Sequence, residues 1–141
     1  MRPALEGSPF VIHCSDPRFQ AAFQDFLRGE LGLEQYGLIA VPGGAHFLTL
    51  VEYLPKFSWA GWRWMKFLMG ATQPPRIILI AHEDCRWYLD MRFGAPPRDL
   101  RDKQVRDLAS VRAGIAERFG NIPVELYYAR FRDGGIAFDR V

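Results

Sequence analysis

The run Arg76-Ile77-Ile78-Leu79-Ile80-Ala81 constrains this chain more than any other stretch. Pro74-Pro75 precedes it, and the polar His82-Glu83-Asp84 follows. Its apolar residues do not alternate with polar ones. A strand of that kind is covered on both faces, as in a mostly parallel sheet flanked by helices. Such a sheet needs partners, and the chain supplies them. Phe10 to His13 and Tyr36 to Val41 read as short buried strands, and Ile122 to Phe131 as a longer one. Asp133-Gly134-Gly135 is a hairpin turn that returns Ile136 to Phe138 as a short antiparallel edge.

Helical stripes fill the gaps. Phe19, Phe23, Phe26, Leu27 and Leu31 recur at three- and four-residue steps. Asp16 and Pro17 suit the N-cap and first position of that helix, and Gly32 its end. A helical piece is expected from His46 to Tyr53, with Pro55 interrupting it. Phe57 to Met69 carries Trp59, Trp62, Trp64 and Phe67, with only Arg63 and Lys66 on a polar side. A helix so apolar is expected to be buried, in the core or against another subunit. A helical turn is expected from Arg86 to Arg92 and a loop from Gly94 to Pro97. Asp99 to Phe119 is amphipathic, with Val105, Leu108, Val111, Ile115 and Phe119 as its stripe. Strands alternating with helices predict an α/β fold: a three-layer α/β/α sandwich on a mostly parallel sheet of about five strands, the last an antiparallel edge. A length of 141 residues suits one domain spanning 1–141.

The net charge of +2 is too small to point to nucleic acid or an anionic membrane as the main partner. No apolar run reaches the roughly 18 residues of a membrane span, and Met1 to Gly7 lacks a signal-peptide core. A cytoplasmic protein with a small-molecule substrate is expected. Two cysteines are too few for a disulfide scaffold, and in a reducing compartment paired sulfurs point to metal or redox chemistry.

Those cysteines sit where ligands gather in open α/β sheets, just beyond the carboxyl ends of strands. Cys14 opens Cys14-Ser15-Asp16-Pro17-Arg18 after the first strand, and His82-Glu83-Asp84-Cys85 follows the central one. If those strands are neighbours, two thiolates and an imidazole converge, a donor set that suits Zn²⁺. Water in the fourth position leaves the site open; Asp16 there closes it. Arg18 can pair with Asp16, keep it ionised and hold it off the metal. The backbone of Gly43 and Gly44 is expected to line the substrate space. A Cys14–Cys85 disulfide is the alternative, and it leaves His82 unexplained. His13 is expected to be structural, and His46 a loop histidine before a proton shuttle. A cysteine-phosphatase loop is excluded by count: it needs arginine six residues after cysteine, whereas Arg18 comes four after Cys14.

Cys14-x-Asp16-x-Arg18 followed by His82-x-x-Cys85 resembles the β-class carbonic anhydrases. The glycine-rich turn, the long helix and the closing hairpin occur in that family's order, so the resemblance covers roughly Phe10 to Val141. It implies that Cys14, His82 and Cys85 are zinc ligands and that Asp16 with Arg18 is a catalytic dyad. It implies reversible hydration of CO₂ to bicarbonate by zinc-bound hydroxide, in a homodimer or higher homo-oligomer. The chain departs from the family pattern at Val41-Pro42-Gly43-Gly44-Ala45, where an Arg-Asn-Ala-Gly-like turn is usual. Arg86 stands where glycine usually follows the second cysteine, and the N-terminal helical arm is absent. Two other expectations stand beside the lyase. One is hydrolysis of a related small heterocumulene or compact carbonyl compound; the other is a non-catalytic zinc-binding or thiol-sensing module.

Overall fold

The computed structural model describes residues 1–50, 54–90 and 96–141. Five strands form one sheet: β1 (Phe10–His13), β2 (Gly37–Ala40), β3 (Ile77–His82), β4 (Val124–Arg132) and β5 (Gly135–Arg140). Their spatial order is β2-β1-β3-β4-β5, parallel except for the antiparallel β4–β5 pair. The expected α/β sheet with its antiparallel edge is therefore present. β3 lies at the centre with every residue buried, as its unbroken apolar run requires.

Alternation along the strands sorts side chains into two cores. Val11, Ile78, Ile80 and Tyr127 pack with Phe19, Phe23, Phe26 and Leu27 on one face. Phe10, Ile12, Ile77, Leu79 and Leu126 pack on the other, against Met65 and Met69 of α2 (Pro55–Thr72) and Leu108, Val111 and Ile115 of α3 (Leu100–Phe119). Because α1 (Gln20–Asp25) covers one face and α3 the other, the connections leaving β1 and β3 diverge. A crevice opens between the carboxyl ends of those two adjacent strands.

Several local expectations change. The first helix begins at Gln20 rather than Pro17, with Phe19 at its N-cap position, and continues as a π-helical turn over Phe26–Glu30. Pro55 opens α2 instead of interrupting a helix; its missing N–H costs nothing in the first turn. The segment after Gly43 is a 3-10 helix, Gly44–Thr49, while Tyr53 lies outside the described residues. The stretch after Cys85 forms turns rather than a helix up to Asp90, and Arg92 and Gly94 again lie outside the described residues. α2 is not enclosed: it buries Gly61, Met65 and Met69 but exposes Phe57, Trp59, Trp64 and Phe67. No helix among the described residues is long and apolar enough to cross a membrane.

Candidate metal centre

β1 and β3 run parallel and in register, Ile12 beside Leu79, so the residues that follow them arrive together. Cys14 stands just past the end of β1, His82 is the last residue of β3, and Cys85 follows in the next turn. Their donor atoms all lie within 4.8 Å of one another, and all three residues are buried. The two sulfurs are 4.0 Å apart. Sulfurs held about 2.3 Å from one zinc ion at a tetrahedral angle would be about 3.8 Å apart, so little movement separates this arrangement from a ligand set.

The histidine gives a sharper test. His82 Nδ1 lies 2.8 Å from the carbonyl oxygen of Glu83, which can only accept, so Nδ1 carries the proton. Nε2 is then a bare lone pair. It is buried and has no hydrogen-bond partner among the described residues. An orphaned acceptor in a dry site carries a penalty unless something electrophilic meets it. A carbonyl that fixes the ring's other nitrogen is also the usual support of a metal-bound histidine. Phe19 holds the ring from the side, with centroids 4.3 Å apart.

The sulfurs are not equivalent. The Cys14 thiol is held well below its ordinary range, chiefly by the hydrogen bond from Cys85. The Gly43 N–H also reaches Cys14 Sγ, at 3.3 Å. Cys85 is pushed up by that same contact with Cys14 and by burial. One proton shared between two buried thiols is the state a divalent metal would displace. Cys14, His82 and Cys85 can therefore hold a metal ion such as zinc.

Beside them, Asp16 and Arg18 form the pair expected from their spacing. Arg18 Nη2 donates to Asp16 Oδ2 at 2.6 Å, and Nε reaches Oδ1 and Oδ2 at 3.1 and 3.2 Å. These bonds hold the Asp16 carboxyl below the usual carboxylate range. Asp16 Oδ2 is 4.0 Å from His82 Nε2, which places the carboxylate next to the three donors. Asp16 does not cap a helix: its Oδ1 accepts the Arg18 N–H at 2.9 Å, closing a local turn before α1 starts.

Three partners of the site were not evident from sequence. Asp84 adopts a left-handed backbone, φ 55°, instead of opening a helix. Its carboxylate and carbonyl accept Arg18 Nη1 and Nη2, both at 3.0 Å, so Arg18 ties the two motifs together. Gln20 donates to the carbonyls of Cys14 and Asp16, at 3.0 and 2.6 Å. Tyr88 packs against the two cysteines and donates to Asp107 Oδ2 at 2.8 Å; Lys103 Nζ meets the other oxygen at 2.6 Å. A signal for this last group exists: Gln104 and Asp107 fall on the same arc of α3 as Leu108 and Val111, so polar side chains must be buried there.

Gly43 and Gly44 stand beside Cys14, with φ 78° and 57°. A Cβ on Gly43 would come 2.8 Å from Trp87 Nε1, and one on Gly44 would come 3.2 Å from Cys14 N. Their missing side chains let Trp87 and the Cys14 backbone close on the turn. Trp87 Nε1 donates to His46 Nδ1 at 2.8 Å. Burial lowers the pKa of His46 to about 4, so it stays neutral at physiological pH and is poorly suited to shuttle protons. His13 packs against Phe23, with ring centroids 4.3 Å apart and planes tilted by 34°.

No protein-family model matches the chain, and no curated protein matches it in sequence. Among solved structures it is similar to β-carbonic anhydrase isoform I of the protozoan Trichomonas vaginalis. The two share 13% identity over 98% of this chain and 85% of that chain, with a TM-score of 0.47. The chemistry therefore rests on what this chain's own donors do.

Proposed function

We propose that the chain is a zinc-dependent lyase of the carbonic-anhydrase type, catalysing reversible hydration of CO₂. The observation that carries this reading is the buried, unpartnered His82 Nε2 facing two cysteine sulfurs beside an arginine-bound carboxylate. Cys14, His82 and Cys85 would hold the metal. Zn²⁺ supplies Lewis acidity there, making water nucleophilic near neutral pH. Two thiolates offset most of that acidity, so the chain must add to it. Asp16 has a role in that balance: it stays ionised, accepts a hydrogen bond from the attacking water and orients it. Arg18 occupies the Asp16 oxygens and keeps them from taking the metal's fourth position. Glu83 O fixes the His82 tautomer. Pro42 and Trp87 line the approach.

Stopped-flow hydration of CO₂ by zinc-loaded protein between about pH 7 and 9 tests the proposal, since water on zinc ionises near that range. A rate above buffer that is lost in Asp16→Asn supports it; no rate above buffer rejects it.

One observation favours a related reaction. The approach beside Asp16 is a cleft of about 340 Å³, mostly apolar and lined by Pro17, Pro42, Arg86 and Trp87. It has room for more than CO₂, which suits hydrolysis of a larger heterocumulene or compact carbonyl compound. A substrate panel separates the two reactions. We also propose self-association through the outer edge of β2, where Leu38 is exposed. Sedimentation of Leu38→Glu tests this: loss of the dimer supports it, and an unchanged mass rejects it.

A further inference from the structure

The charge of this chain is nearly balanced overall but not locally. From Leu54 to His82 there is no Asp or Glu, while α2 carries Lys56, Arg63 and Lys66. Along its flank toward α3, away from the β2 edge, α2 borders an open groove of about 1170 Å³. Trp62, which lines the groove, packs against Gly114 of α3. A Cβ there would come 3.0 Å from Trp62 Cη2, so the glycine lets the indole pack closely against α3. Arg118 then lies over the Trp62 ring, 3.8 Å from its centroid. Trp59, Trp62 and Ile122 give the groove an apolar lining, Arg63 and Lys66 stand on its α2 rim, and Arg118 stands on its α3 side. Among the described residues, none of those lining it is acidic.

We infer that this groove binds an extended acidic peptide segment of a partner protein, with apolar side chains on the tryptophans and carboxylates on the rims. Three features select that occupant. The lining runs from Pro55 to Pro74, the whole length of α2, about 27 Å at 1.5 Å per residue. An extended peptide of about eight residues spans the same distance. Cations stand on both sides of the groove, whereas a single-headed anionic amphiphile would meet only one side. A second copy of the chain offering the same face would set cation against cation, a repulsive arrangement.

The probe is a fluorescently labelled octapeptide of alternating Glu and Leu, titrated with the full-length, metal-loaded protein and read by anisotropy. Saturable one-to-one binding is expected, weakening at least about tenfold between about 0.05 and 0.5 M salt as rim charges are screened. Lys66→Glu with Arg118→Glu should weaken it by about tenfold or more, the combined effect of two exposed charge contacts reversed in sign. Trp59→Ala, at a highly exposed position, tests the apolar contact without touching the core. Octapeptides alternating Lys with Leu, or Glu with Ser, should bind far more weakly. The inference is overturned by absent binding, by equal binding of the control peptides, or by unchanged binding in both variants. It is overturned in favour of a lipid anion if dodecanoate, and not the peptide, loses affinity in the variants. A dimer that dissociates in Trp59→Ala, with no peptide bound by the wild type, overturns it in favour of a second copy.

Discussion

Gly43→Ala puts the packing around the site to a quantitative test. Gly43 has φ 78°, in the left-handed region that an L side chain enters at a cost of about 1–2 kcal/mol. Its added Cβ would stand well inside van der Waals contact with Trp87 Cδ1 and 2.8 Å from Nε1. The indole must move away. Its hydrogen bond to His46 Nδ1, 2.8 Å long, is then lost, at about 1 kcal/mol. The expected destabilisation is about 2–3 kcal/mol, a large part of the 5–15 kcal/mol typical of a domain. Gly134→Ala is the matching control. Its φ is also 78°, but nothing lies within 4 Å of the added atom, so only the backbone cost of about 1–2 kcal/mol applies. Urea unfolding of the metal-free proteins, read by tryptophan fluorescence, measures both. The Gly43 variant should unfold at the lower midpoint with an unchanged slope, and its Trp87 emission should shift. Equal losses at the two glycines would refute the role given to Trp87.

Other consequences follow from the same contacts. Tyr88→Phe should cost about 1–2 kcal/mol in thermal or urea unfolding, because Asp107 keeps Lys103 but loses a buried donor. Arg18→Ala should leave zinc content unchanged while turnover falls by about 10²-fold, the scale of a mispositioned acid–base group; an unchanged rate would remove Arg18 from the mechanism. Acid should destabilise the metal-free protein as pH falls from about 6.5 toward 4, because His46 is depressed to about 4 by burial. For a histidine with a lowered folded pKa, the neutral form's stabilisation is complete above the unfolded pKa of about 6.5 and is lost below it. The loss approaches about 3 kcal/mol at most, and NMR of the His46 ring checks it; a midpoint above pH 6 would contradict the assignment.

Much of the site was legible because the chemistry sits at strand ends. An unbroken apolar run fixes β3 as central, and a parallel sheet sends both motifs to one edge. Periodicity could not prove that β1 and β3 are neighbours; the pairing of Ile12 with Leu79 establishes it. The helix start was misplaced because Asp16 answers to two donors. Its carboxylate is taken by the Arg18 backbone and guanidinium, so no oxygen is left to cap a helix. The Asp84 turn escaped notice because a non-glycine residue at positive φ leaves no local signature. Its reason lies 66 residues away, in Arg18. The aromatics of α2 were expected in the core or against another subunit, and within the single chain Trp59, Trp64 and Phe67 are exposed. Only one side of the helix meets the sheet, and hydrophobicity alone does not say which tryptophan faces inward.

The central claim is that Cys14, His82 and Cys85 hold one metal ion together. Metal analysis of the protein alongside Cys85→Ser and His82→Ala, with X-ray absorption at the zinc edge, tests it most directly. The account predicts about one zinc per chain, with two sulfurs near 2.3 Å and one nitrogen near 2.0 Å, and zinc well below one per chain in both variants. Full zinc retention by Cys85→Ser, or a zinc shell without two sulfurs, would contradict it.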